Sequence, residues 1–186
     1  MSGNNVQLNI DPRTLKHLFD QMDILQNNMG KSFYEALIKV AFKIKSEAQL
    51  RLTGRGHIKT SRLKNSLFVK ASKPISRPDN PLTYSDNNGR SYKSDLSTVQ
   101  LKENELAVGT NVEYAAAIEL GSRPHIIEVK NKKVLSNGKT FFGKKVNHPG
   151  WSGDSFLYWA MKNVNIEKSV GEDMQNDLKF GKFLKR

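Results

Sequence analysis

Four histidines, His17, His57, His125 and His148, are the first residues to weigh for chemistry, because imidazole serves both metal binding and proton transfer near neutral pH. None has a second histidine or a carboxylate at metal-ligand spacing. His148 stands in the most distinctive setting, His-Pro-Gly, where its ring is expected to hydrogen-bond the turn backbone. Glu113 and Glu119 lie six residues apart, on different faces of a helix, and make a poor acid–base pair. Glu119 is instead expected to pair with Arg123 or with a basic residue of a neighbouring molecule. The chain has no cysteine, which excludes disulfide and thiolate chemistry. Phosphate loops, a nucleophile elbow and the deaminase motif are absent. The pattern argues against an enzyme and asks for no metal and no cofactor.

Charge is the strongest compositional signal. Lys and Arg number 30 against 18 Asp and Glu, a formal net charge of +12 over 186 residues. A balance this basic points to nucleic acid or to an acidic protein surface. The charge is also segregated. One basic block runs from Lys31 to Lys70 and includes Lys39, Lys43 and Arg51; a second runs from Arg123 through Lys130, Lys132, Lys133, Lys139, Lys144 and Lys145. Glu103, Glu105, Glu113 and Glu119 cluster between them. Such segregation suits a molecule that stacks head-to-tail with copies of itself, one that lines a nucleic-acid path, or a plain solvated surface. No apolar run approaches the roughly 18 residues of a membrane helix. The opening Met-Ser-Gly-Asn-Asn has no signal-peptide pattern, so a chain made in a cytoplasm and kept off the membrane is expected.

The elements that must position these residues follow from periodicity. Asp11-Pro12 starts a helix that is expected to reach about Gln26, with Asn27-Asn28-Met29-Gly30 as a break. Phe33, Leu37, Val40, Ala41, Ile44, Ala48 and Leu52 mark a second amphipathic helix ended by Thr53-Gly54. Thr60-Ser61 caps a short helix at 62–66, followed by an extended segment at 67–71. Residues 73–98 are polar and proline-rich and read as a projecting arm, a loose hairpin centred on Asn88-Gly89. Thr98–Lys102 and Glu105–Gly109 are expected to pair as a hairpin. Asn111 is expected to cap a short alanine-rich helix at 113–120, with Tyr114, Ala117 and Ile118 on one face and Gly121 at its end. His125–Lys130 reads as a strand, and 132–135 with 140–142 as a second hairpin about Ser136-Asn137-Gly138. After the turn at 146–151, Ser152 or Asp154 caps a helix that turns Phe156, Leu157, Trp159, Ala160 and Val164 inward; Val170, Met174 and Leu178 extend it or form a last one. The fold class expected is α+β: long N-terminal helices and a C-terminal helix on a mainly antiparallel sheet, in a single domain 1–186 with a core at about 12–166. Residues from about 170 to 186 read as a basic tail, frayed or docked on a partner.

The order of motifs resembles the small head–tail joining and tail-completion proteins of tailed bacteriophages, a group that includes virion morphogenesis and minor tail proteins. An amphipathic helix comes first. A Thr-(Gly/Ser)-x-Leu-x-x-Ser segment is matched by Thr60, Leu63 and Ser66. A Val-Gly-x-x-x-x-Tyr-Ala-x-x-(Ile/Val)-Glu-x-Gly segment is matched by Val108, Gly109, Tyr114, Ile118, Glu119 and Gly121. An Ile-x-x-Lys…Leu hairpin ending in His148, Pro149 and Gly150 comes next, then Phe156 and Ala160 on the last helix. The resemblance spans about Pro12 to Ile166 and departs at the 73–98 insert and the basic tail.

The resemblance implies a non-enzymatic structural protein of the virion neck, assembled in the host bacterial cytoplasm. It would form a ring, commonly of six subunits, joining the portal-side connector or adaptor to the tail tube or tail terminator. Tyr114, Ile118 and Glu119 would position the signature turn, and the His-Pro-Gly turn would redirect the chain into the last helix. The candidate lumen contacts are Lys39, Lys43, Arg51, Lys130, Lys132, Lys133, Lys144 and Lys145, touching packaged DNA through phosphate, weakly and without sequence preference. The nearest alternative is a tail terminator or minor tail protein. From another class, the alternative is a stand-alone basic nucleic-acid-binding protein.

Overall fold

A computed structural model describes residues 12–179 except 58, 60, 76, 78, 81, 130–133, 137 and 138, and, of these, the side chains of all but 12, 14, 15, 178 and 179. The cap at Asp11, the motif residue Thr60, Lys130, Lys132, Lys133, the Asn137-Gly138 turn and the end of the tail lie outside the described residues.

The fold is α+β, as the periodicity predicts. Among the described residues there are five helices, α1 (Pro12–Gly54), α2 (Arg62–Asn65), α3 (Ala115–Leu120), α4 (Phe156–Asn163) and α5 (Ile166–Lys179), and eight short strands. The strands are β1 (Phe68–Ala71), β2 (Thr83–Ser85), β3 (Ser91–Lys93), β4 (Leu106–Gly109), β5 (His125–Glu128), β6 (Leu135–Ser136), β7 (Phe141–Gly143) and β8 (Lys145–His148). They pair as four antiparallel two-stranded ladders, β1–β4, β2–β3, β5–β8 and β6–β7, in place of the one sheet expected. Among the described residues no helix is long and apolar enough to cross a membrane.

The chain divides into two compact units, one formed by residues up to Val40 with those from Asn165 onward, the other by Ala41–Val164. In the first, Tyr34, Ala36 and Val40 of α1 and Val170 of α5 are buried. Ser32 Oγ donates to Asp177 Oδ2 at 2.7 Å, and Lys39 pairs with Asp173 at 3.4 Å. The two contacts run in opposite senses along the helices, so α1 and α5 are antiparallel.

Two predicted helices are one. α1 runs 43 residues through Asn27-Asn28-Met29-Gly30 without interruption. Asparagine and glycine cost at most about 1 kcal/mol each relative to alanine inside a helix, less than the cost of a second nucleation. Gly30 has no positive φ and open space around it, so no turn is built there.

The second unit holds the core: Ala48 and Leu52 of α1, Leu63, Leu67, Tyr84, Val112, Ala115, Phe156 and Ala160, with Ile44, Ile118, Leu157 and Trp159 against them. The expected partner of 105–109 is corrected. β4 pairs with β1, Val69 opposite Val108, and 98–102 forms no strand. β1 carries the buried Phe68 and Val69, so β4 gains more by covering it than by closing on its polar neighbour. Residues 96–99 are held instead by Lys70, whose Nζ donates to the carbonyls of Leu96 and Val99.

The hairpin expected about Asn88-Gly89 is present as β2–β3, but it is folded onto the core, which corrects the expectation of a projecting arm at 73–98. Tyr84 lies in the core and stacks on Tyr92 at 5.5 Å. Asn80 uses its side-chain amide as a strand partner, accepting from Val69 N at 2.9 Å and donating to Val69 O at 2.8 Å. Arg77 lies over the Phe42 ring, and Lys45 Nζ donates to the Asp79 carbonyl. Burial lowers the Lys45 ammonium from its ordinary value; Asp79 opposes that and Arg77 adds to it. A few aromatic and amide anchors, spaced too irregularly for a periodic signal, are enough to fold the insert down.

The turn of this hairpin is set by Asp86, which is buried. Its Oδ1 accepts from the amides of Asn88 and Arg90, both at 2.9 Å, and its Oδ2 from the Tyr92 hydroxyl at 3.2 Å. Burial alone would raise this carboxyl, but the Arg90 and Asn88 amides, Tyr92 and the Arg90 charge together hold it below its ordinary value. A depressed folded-state value gives stability that is present above the unfolded value of about 3.9 and lost as pH falls through the folded one. Asp86→Asn is therefore expected to be less stable than the parent at pH 7 in urea unfolding. That difference should shrink as pH is lowered below about 4. A difference that stays constant down to pH 2 would contradict the assignment.

Candidate functional site

Two segments, 117–122 at the end of α3 and 150–155 before α4, are joined backbone to backbone. Ser122 and Trp151 exchange both N–H···O bonds at 2.9 Å, Asp154 N donates to Ile118 O at 2.8 Å and Ser155 N to Glu119 O at 3.0 Å. The Trp151 indole adds a bond to Ala117 O at 2.8 Å. Gly121 and Gly153 face each other at the closest point, with φ of +83° and +78°. A β-carbon on either would come within 3 Å of the opposing backbone, so only glycine fits there.

This join aims two carboxylates. Glu119 Oε2 accepts from Leu157 N at 2.9 Å and Oε1 from Tyr158 N at 3.0 Å, so it caps α4 from another helix. The expectation of a pairing with Arg123 is thereby corrected. The expected caps Ser152 and Asp154 do not cap either: α4 begins after Ser155, whose φ is +44° and which makes no side-chain cap bond. An anionic acceptor on two free amides at a helix start is favoured by both hydrogen bonding and the helix dipole.

Asp154 is the second. Its side chain is 8% exposed, and its Oδ1 accepts from Arg51 Nε at 3.1 Å and Nη2 at 2.7 Å. Arg55 stands 3.7 Å from Oδ1, and His57 Nε2 lies 3.2 Å from Oδ2 outside hydrogen-bonding geometry, leaving that oxygen without a hydrogen bond. The Arg51 guanidinium also covers Trp159, and His57 packs edge-on to Trp151. Arg51, Arg55, His57, Trp151 and Asp154, with Ser152, Gly153 and Ser155, line an open cavity of about 580 Å³. Two arginines against one aspartate leave it positive. Chemically it is a clip between the end of α1 and the 151–155 turn, with the half-exposed Arg55 able to meet an anion. Among the described residues no group of three His, Cys, Asp or Glu is placed to hold a metal.

The motif residues meet here or next to it. Leu63, Ser66, Phe156 and Ala160 are in the core, and Ser66 Oγ bonds Leu63 O at 2.7 Å and Thr110 Oγ1. Val108 and Gly109 are on β4, Ile118 packs on the core, and Tyr114 stands at the start of α3 beside Arg62. Asn111 does not cap α3; Tyr114 holds that position. His148 Nδ1 accepts from Gly150 N at 3.1 Å, the turn bond expected of it, across Pro149, and its ring stacks on His125 at 4.9 Å.

Of the basic residues expected at DNA, Arg51 is turned inward onto Asp154, Lys39 pairs with Asp173, and Lys145 pairs with Glu128 at 2.7 Å in an exposed pair. Lys43 and Lys144 are exposed. The sequence alone gives Trp151, Gly153, Arg55 and His57 no role at this joint; the glycine pair in Gly150-Trp-Ser-Gly153 is the signal it offers. Compared with known proteins, the chain matches no family model, no curated protein and no solved structure.

Removing Arg51 takes two hydrogen bonds from the 8%-exposed carboxylate of Asp154 and leaves it with Arg55 at 3.7 Å and His57 at 3.2 Å. Such a one-sided break costs about 3 kcal/mol at a buried pair. Arg51→Met should show a loss of that order in urea unfolding. Adding Asp154→Asn should restore more than half of it, because the stranded charge is gone. Additive losses would mean the clip is not a coupled unit.

Proposed function

We propose that the chain is a structural subunit of a tailed-phage neck, a ring-forming head–tail joining or tail-completion protein that surrounds the DNA path. The observation that carries this reading is that motifs far apart in the chain act on one another. Glu119 of the Tyr-Ala…Ile-Glu-x-Gly segment caps the helix bearing Phe156 and Ala160, and Gly121 sits against the turn that His148-Pro-Gly150 begins. Part of the resemblance, Glu119, Gly121 and the His148-Pro-Gly150 turn, thus meets at one architectural joint, which supports packing roles for these residues.

The surface favours protein partners. Ile126 on β5 is 61% exposed and Phe141 on β7 is 75% exposed, with Phe142 beside it. Two-stranded ladders are marginal on their own, and large apolar side chains left exposed on them are suited to burial by a partner. A ring buries such a surface by repeating one heterologous contact until it closes. The basic balance of +12 suits a neighbour of packaged DNA, with weak, salt-sensitive phosphate contact.

Light scattering on the purified protein, alone and with purified phage connector and tail, tests this. A ring, or assembly only on that template, is expected. Ile126→Asp with Phe141→Asp should weaken assembly by about thirtyfold or more, the scale of losing one interface hot spot, while leaving the thermal unfolding midpoint near that of the parent. A monomer that ignores the connector and binds DNA with a steep salt dependence would overturn the proposal in favour of a stand-alone nucleic-acid-binding protein.

A further inference from the structure

The cavity beside the Gly121–Gly153 join has the size and the lining of a ligand site. Its volume of about 580 Å³ falls within the range of about 300–1,000 Å³ that small-ligand sites occupy. Its wall presents hydrogen-bond donors from several side chains. Arg55, just past the end of α1, has 59% of its side chain exposed and stands 3.7 Å from Asp154, beyond hydrogen-bond reach. Arg51 commits Nε and Nη2 to Asp154, and its Nη1 amine remains as a donor. His57 lies beside them with 23% of its side chain exposed, and Ser152 adds an exposed hydroxyl. The one carboxylate of the lining, Asp154, is 8% exposed and already held by Arg51, so a ligand meets cations there. A wall of N–H and O–H groups with a positive balance selects an oxyanion. Trp151 gives the same wall an aromatic surface. It is 39% exposed and is fixed by its bond to Ala117 O and by its edge contact with His57.

We infer that this cavity binds the phosphate-bearing end of a nucleotide, with the phosphomonoester on Arg55 and Arg51 and the base against Trp151. The donors favour phosphate over carboxylate. Arg51, Arg55, His57 and Ser152 are four separate groups, matched better by the three outward oxygens of a phosphomonoester than by the two of a carboxylate. The planar arginine fork suits phosphate in geometry as well. A bare anion would leave the exposed indole unused, whereas a base can stack on it, whatever its identity. A phosphodiester inside a duplex fits less well, because it offers two free oxygens and keeps its bases stacked on one another. The site is also pre-organised. Asp154 holds Arg51 in place, and the glycine join fixes the 151–155 turn, so binding has little left to order. The inference does not rest on the neck reading: every residue in it belongs to the second unit, and its test reads nucleotide binding, where the neck reading is tested by assembly.

The test is calorimetric titration of the full chain at pH 7 in phosphate-free buffer. The probes are dAMP, deoxyadenosine, inorganic phosphate, and one single-stranded oligonucleotide carrying either a 5′-phosphate or a 5′-hydroxyl. dAMP is expected to bind about tenfold or more tighter than deoxyadenosine, the scale of one hydrogen bond to a charged group. It should bind about fivefold or more tighter than inorganic phosphate, the scale of one stacked base. Arg55→Gln should weaken dAMP binding by about tenfold with the thermal unfolding midpoint near that of the parent, and Arg55→Lys, which keeps the charge without the fork, should recover part of it. Tightest binding of the 5′-phosphorylated strand assigns the site to a strand end, and tightest binding of dAMP assigns it to a free nucleotide; either supports the inference. Equal affinity for dAMP and deoxyadenosine would overturn it, as would equal affinity for dAMP and inorganic phosphate. A dAMP affinity that Arg55→Gln and Arg55→Lys both leave unchanged would move the ligand away from this cavity and overturn it too. Two strands bound alike and both more tightly than dAMP would mean general backbone attraction and overturn it, and so would no binding of dAMP at all.

Discussion

Between Gly121 and Gly153 two backbones run so close that no side chain fits, and much of the second unit takes its geometry from that approach. It fixes where α3 ends and where the chain enters α4, which brings Glu119 onto the free amides of Leu157 and Tyr158. It also turns Asp154 away from its own helix and toward Arg51, tying the end of α1 to the same joint. On the helix that Glu119 caps, Phe156 and Ala160 are fully buried in the core. One steric constraint therefore sets a helix cap and a buried ion pair. The left-handed backbone at Ser155, with φ of +44°, is a cost of the same arrangement, offset by its amide and hydroxyl bonds to Glu119 O.

Much of this could be read from the sequence where the cause is local. Helical spacing found the buried face of α1 through Ala48 and Leu52, and the apolar pattern after Gly153 found Phe156 and Ala160. His148 makes the turn bond that a histidine before Pro-Gly is placed to make. The failures share a cause, which is that the deciding partner is remote in sequence. Asp154 precedes a helix and so resembles a cap, but a guanidinium 103 residues away claims it. Glu119 resembles a partner for Arg123, four residues on, yet serves amides 38 and 39 residues away. β4 has a plausible strand beside it and still pairs with β1, because Phe68 and Val69 offer more apolar surface. Polar composition at 73–98 hid Tyr84 and Asn80, two residues enough to anchor a segment whose average looks extended.

The net charge of +12 shows why counting charges differs from locating them. Arg51 and Lys39 lie in basic runs, but each is committed to a carboxylate, and Arg62 faces Glu113 while stacking on Tyr92. Other described cations do face water, among them Lys16, Lys31, Lys43, Lys93, Lys102 and Lys144, spread over several elements. The described apolar surface is unusual by comparison, since both the ladders β5–β8 and β6–β7 and the first half of α1 expose large side chains. A small chain with 37% hydrophobic residues has few to spare, and leaving Phe141, Ile126 and Met22 in water weakens an already modest core. Such positions make physical sense where assembly or docking buries them later. The strength of this protein's contacts is then expected to come from apolar complementarity, with its charge setting orientation and salt dependence.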